Sequence, residues 1–215
     1  MKKEKIFNKD FIKRLLLLMI GLYIMSLGIA FSIKSSLGTS PISSLPYVIS
    51  YISKLSVGET TIIVNVMFIL IQILILRKNY DLFQLLQIHT LVLFGIMIDL
   101  SQYLLKDITY NNYFQQWVLC IIGIFLVGFG VSIEVMSKLI TTPGEGVVIA
   151  ICKVTHIKFG NAKIIFDVLL VLISLATALV FLRHLEGVRE GTIAASIFVG
   201  FIAKKVKILL DKYLL

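Results

Sequence analysis

Residues 28–41, GIAFSIKSSLGTSP, return without a gap as residues 130–143, GVSIEVMSKLITTP, at an offset of 102. The match pairs Gly28 with Gly130, Ser35 with Ser137, Leu37 with Leu139, Thr39 with Thr141 and Pro41 with Pro143. It continues in register, so that residues 55–66, LSVGETTIIVNV, fall on residues 157–168, IKFGNAKIIFDV, with Gly58 on Gly160 and Asn65 on Asp167. After a small length difference in the next loop, Phe94 and Gly95 fall opposite Val199 and Gly200. A repeat of this length means that two halves share the same breaks and the same apolar lengths, so the architecture of one half predicts that of the other.

Outward from the repeat, the composition names the solvent. Of 215 residues, 58% are apolar and 15% charged, and the mean hydropathy is +0.97, against roughly 45–50% and about 25% in soluble domains. A soluble domain is excluded and a multi-pass bilayer protein is expected. Apolar runs lie at residues 15–35, 60–76, 82–105, 115–136, 163–182 and 191–203, which predicts six transmembrane helices. Two further segments, residues 39–53 and 142–154, are apolar but short and broken by Pro and Gly. At 1.5 Å per residue they reach about 20 Å against a hydrocarbon core of about 30 Å, so they read as re-entrant helices that do not cross. The expected fold is an all-α polytopic membrane protein, residues 1–215 forming one membrane domain, with a first repeat over 15–105 and a second, inverted, over 115–212. If both short segments crossed, there would be eight spans and parallel halves.

The net charge of +9 sits between apolar runs, where cations orient a chain; it does not form a nucleic-acid patch. Lys2, Lys3, Lys5, Lys9, Lys13 and Arg14 precede the first run. That run, residues 15–33, is too long for a signal-peptide h-region and lacks a small-x-small cleavage site, so an uncleaved first helix with a cytoplasmic N-terminus is expected. In the six-span arrangement only Lys34, Lys54, Lys106, Arg183 and Arg189 of the 21 cations lie outside. The eight-span arrangement is nearly as well balanced, so helix length decides between them, and both put the C-terminus in the cytoplasm. Tyr103, Tyr110, Tyr113 and Trp117 around the polar loop between the halves read as an interfacial aromatic belt.

A charge in hydrocarbon costs several kcal/mol and therefore faces a cavity or a partner. Glu134, Glu145, Lys163, Asp167 and Asp99 are such charges, although Asp99, close to a helix end, is expected to be solvated. Lys163 and Asp167 share a helix face at i and i+4. Glu145 follows Pro143 in TTPGEG, and Ser40, Ser43 and Ser44 surround Pro41, so each break starts a short helix whose free N–H groups can receive an anionic solute. Residues Thr39, Ser40, Pro41, Ser43, Asn65, Thr141, Thr142, Pro143, Glu145, Lys163 and Asp167 form the candidate substrate-binding set. The structural alternative has these hydroxyls capping and stitching helices and Lys163 pairing with Asp167. Cys120 and Cys152 make no CxxC, and His89, His156 and His184 make no HExxH, so no metal, cofactor or catalytic residue is expected. Walker A, GxSxG and GxGxxG patterns are missing, which argues against an enzyme and against a self-contained pump.

With these residues in view, the chain resembles the YczE/YyaS/YitT group of bacterial membrane proteins, and most of all its YczE-like branch. The resemblance runs through SLGTSPISSLPYVIS, VGETTIIVNVMFILIQILILR, GFGVSIEVMSKLITTPGEGVV, KFGNAKIIFDVLLVLISL and GVREGTIAASIFVG, and is most specific over residues 143–167. It implies an integral protein of the bacterial plasma membrane and leaves the activity open. The leading functional expectation is a small-solute secondary transporter or permease with its site between the two repeats. The others are a non-transporting accessory or scaffold, and the substrate-binding membrane subunit of a transporter energised by a separate ATPase. The expected partners are the lipid bilayer, a small or anionic solute, and a second copy or another membrane protein; nucleic acid is not expected.

Overall fold

The computed structural model describes residues 9–184 and 187–214; Lys2, Lys3 and Lys5 of the basic cluster lie outside the described residues. The described chain is all-helical: α1 (Lys9–Ser35), α2 (Pro41–Ser53), α3 (Val57–Leu76), α4 (Gln87–Leu104), α5 (Tyr113–Ser137), α6 (Pro143–Thr155), α7 (Phe159–Thr177) and α8 (Glu190–Leu214). The two short helices each begin on proline at the first helical position, where a missing N–H forfeits no intrahelical bond. They end on the left-handed residues Lys54 and His156. A capping box of Ser56 and Glu59 starts α3, and the Asn112 side chain, accepting from the Gln115 amide, starts α5. The run expected over 82–105 divides into a 3-10 turn, Leu82–Leu86, and α4. The last helix continues beyond residue 203 to Leu214.

Among the described residues five helices, α1, α3, α4, α5 and α7 with its terminal π turn, are long and apolar enough to cross a membrane. In α8 the apolar stretch is ended early by Lys204, Lys205 and Lys207. The outward surface is apolar, with Leu74, Phe114, Val180 and Ile193 all exposed. Such a surface belongs against lipid, and the chain is a membrane protein.

At the centre α1 crosses α5 with backbones in contact. A Cβ on Gly21 would strike Gly130 O and the Glu134 amide, and one on Gly28 would strike Gly123 O and the Val127 amide. Rising positions on α1 therefore meet falling positions on α5, and the two helices run antiparallel. Small residues at such a crossing let dispersion act between backbones where lipid offers no hydrophobic drive. Around this pair, α4 packs on α1, where the Ser26 and Ser101 hydroxyls meet at 2.9 Å, and α8 packs on α5, where Ser132 Oγ donates to Ala203 O at 3.0 Å. Each short helix is held by a long helix from the other part of the chain: α2 by α7 through Ser44 and Ser174 hydroxyls 2.9 Å apart, and α6 by α3 through Gln72 Nε2 donating to Pro143 O at 2.9 Å.

Asp99 corrects an expectation. It accepts from Ser56 Oγ at 2.6 Å and from the Gly58 amide at 2.8 Å, so it caps α3 from α4 and is no free, solvated carboxylate. The end of the bundle that holds it is tied further: Lys34 Nζ donates to Lys106 O, Arg189 Nη1 to Ser36 O and the Gly191 amide to Leu37 O. The ends of α1 and α4 and the start of α8 thus share one end of the molecule.

Candidate functional site

The start of each short helix follows from its proline. Pro41 and Pro143 leave Ser40 and Thr142 as N-caps with extended backbone, and neither side chain caps its own helix. Both helix starts therefore present amide hydrogens and a positive partial charge toward what lies ahead of them. What lies ahead is one cavity of about 260 Å³, walled by residues of α1, α3, α4, α5, α7 and α8 as well as both breaks. That is just under the usual range for small-molecule sites, roughly 300–1,000 Å³, and suits a small solute.

Of the candidate residues read from the sequence, Ser40, Pro41, Ser43, Asn65, Thr141, Thr142, Pro143, Glu145, Lys163 and Asp167 all line this cavity. Thr39 does not: it is buried, and its amide donates to Gly187 O at 3.2 Å. Lys163 Nζ meets Asp167 Oδ1 at 2.7 Å within one turn of α7, and both side chains keep partial exposure toward the cavity, 26% and 20%. Asn65, the counterpart of Asp167, lies on α3, lines the cavity and spends its Nδ2 on Thr61 O at 2.9 Å, so that what the side chain has left to offer a ligand is chiefly its acceptor oxygen. Ser40 and Ser43 bond to each other at 3.0 Å, so here the structural reading of the hydroxyls also holds.

Glu134 belongs to this site as well. It is 4% exposed, reaches the cavity from α5, has Glu145 nearby, and has the Thr142 amide facing its carboxyl group. The positive start of α6 is a natural place for that carboxyl. Its signal in the sequence was a lone acid in an apolar run; the sequence could not say that α5 turns it toward α6. Thr61, Thr90 and Ser196 also line the cavity and were not legible, because each bonds a carbonyl of its own helix in the manner of any membrane-helix hydroxyl. Thr61 alone carried a hint, since it is the counterpart of Lys163.

The remaining walls are aliphatic or aromatic: Leu18, Leu22, Met25, Phe94, Val127 and Val199 among them. A second pocket shares Glu134, Ile140, Thr141 and Glu145 with the cavity and leads past Lys138 and Phe159. It reaches the end of the bundle opposite the one tied by Lys34 and Lys106. Among the described residues no cluster of His, Cys, Asp and Glu has the makeup of a metal site. The arrangement can bind and orient a small polar or charged group against an apolar body; it presents no paired nucleophile and base.

Residues 12–207 match a family described as "Family of unknown function (DUF6198)". The chain is also similar to "Uncharacterized protein YyaS" of Bacillus subtilis (strain 168), with 34% identity over 125 residues, which span 58% of this chain and 61% of that protein. No solved structure matches the chain.

Proposed function

The chain belongs to the DUF6198 family of unknown function, and from that premise we propose that it is a small-solute secondary transporter or permease of the plasma membrane. The observation that carries this reading is the cavity: two Pro-led helix starts, one from each half, face one shared space that also collects the charged side chains of α5, α6 and α7. Discontinuous helices meeting at mid-membrane between two related halves are the usual construction of a transport site.

Several features support an inverted repeat with six spans and two re-entrant helices. Left-handed residues recur 102 positions apart, Ser36 with Lys138 and Lys54 with His156. Packing pairs exchange between the halves: α1 on α4 matches α5 on α8, and α2 on α7 matches α6 on α3. The two first helices, α1 and α5, are antiparallel, as the inverted arrangement requires and the eight-span one forbids. Both termini then lie on one face, which the charge distribution makes cytoplasmic.

The lining carries Glu134, Glu145 and Asp167 against one ammonium, Lys163. That balance favours a solute bearing positive charge over the anion that helix starts alone suggest. The test is thermal unfolding of the purified protein against pools of cationic, neutral and anionic metabolites. A ligand present at about 100 times its Kd stabilises the native state by about 2.7 kcal/mol. Stabilisation by a cationic pool, lost in Glu134→Gln, is expected. Stabilisation by no pool at saturating concentration refutes the proposal.

A further inference from the structure

The two halves differ in one seam. In the first half α3 lies on α4 so closely that a Cβ on Gly58 would collide with Gly95 O and with the Asp99 carboxylate. Asp99 then clasps the start of α3 through Ser56 and the Gly58 amide. The counterparts in the second half are α7 and α8, with Gly160 for Gly58 and Gly200 for Gly95. A Cβ on Gly160 or on Gly200 would meet nothing within 4 Å, and among the described residues α7 and α8 form no packed seam. Lys158 and Lys204 stand where Ser56 and Asp99 stand in the first half, so two like charges replace the clasp.

The seams lie at opposite ends of the molecule. Gly58 is in the first turn of α3, at the end where Lys34 meets Lys106. Gly160 is in the first turn of α7, at the end where the second pocket passes Lys138 and Phe159. Cavity walls on that side come from Lys163, Ile164 and Asp167 of α7 and from Ser196, Gly200 and Ala203 of α8. The cavity is thus shut at the Gly58 end and parted at the Gly160 end. Glycine inside a helix costs about 1 kcal/mol relative to alanine, and at Gly200 this conformation uses none of the close approach that glycine permits.

We propose that the α7–α8 seam is the moving gate of the transport cycle. This conformation is open at the Lys138 end; in its alternate, Gly160 rests on Gly200 as Gly58 now rests on Gly95, and the α3–α4 seam parts. The inference rests on the transporter reading and adds the route of access to it.

The test begins in a background with Cys120→Ala and Cys152→Ser, in native membranes oxidised with copper phenanthroline. A seam as close as that at Gly58 brings Cα atoms into disulfide range, about 4.4–6.8 Å. The Gly160→Cys, Gly200→Cys pair is expected to link, as is the control pair Ser44→Cys, Ser174→Cys, whose hydroxyls are 2.9 Å apart. A control that links while 160 and 200 stay reduced overturns the gate. In the second arm, Thr90→Cys in the cavity wall is labelled with a membrane-impermeant maleimide in right-side-out and inside-out vesicles. Labelling from both faces is expected with Gly200, and from the Lys138 face alone with Gly200→Phe, which fills open space and should fold with undiminished yield. Unchanged two-sided labelling in Gly200→Phe, or one-sided labelling in both proteins, overturns the gate. Neither arm uses a solute. A protein that switches but is stabilised by no solute keeps the gate and loses the transport reading; one that transports without linking 160 to 200 does the reverse.

Discussion

The Lys163 and Asp167 pair is where a binding role and a structural role separate by measurement. Both side chains are partly exposed to the cavity, so their attraction is screened and contributes about 0.2–1 kcal/mol to stability. Asp167→Asn is therefore expected to leave the unfolding temperature of the solute-free protein nearly unchanged and to abolish solute-dependent stabilisation. A large loss of folded yield that Lys163→Met restores would mark a structural pair instead. Glycine substitutions divide in a similar way. Gly58→Ala pushes a methyl into Gly95 O and is expected to cost about 1–3 kcal/mol. Gly160→Ala meets open space and is expected to be neutral or to gain a few tenths of a kcal/mol from helix propensity. Thermal unfolding of both variants in one detergent checks the contrast.

Among the elements, α3 depends on a residue of another helix. Asp99 satisfies an amide at its start that no residue of α3 reaches, so Asp99→Ala is expected to cost about 1–2 kcal/mol and to speed hydrogen exchange in the first turn of α3 before any other helix. Exchange that accelerates uniformly across all helices would show that the clasp is not local. The short helices were legible because proline is decisive locally: segments 39–53 and 142–154 became Pro41–Ser53 and Pro143–Thr155. The start of α4 was not, since apolarity alone does not tell a 3-10 turn at Leu82–Leu86 from a helix.

For the molecule as a whole, the orientation of the halves is the quantity to measure. With native cysteines replaced, a cysteine at Asn79 and another at His184 are expected to label from opposite faces, Asn79 from the cytoplasm. Labelling from the same face would support eight spans and remove the inverted repeat. Residue chemistry read along the chain was enough to place the protein in a bilayer, to find both helix breaks, and to pick ten residues of one cavity wall. Apolar runs, prolines and stranded charges act where they stand, so they can be read without knowing what lies opposite. The backbone contact between α1 and α5, the inclusion of Glu134, the exclusion of Thr39 and the unequal seams at Gly58 and Gly160 needed the folded chain. Each depends on which backbone comes within contact distance of which. That is settled by packing between segments far apart in the sequence, which no local pattern of prolines, glycines and charges specifies.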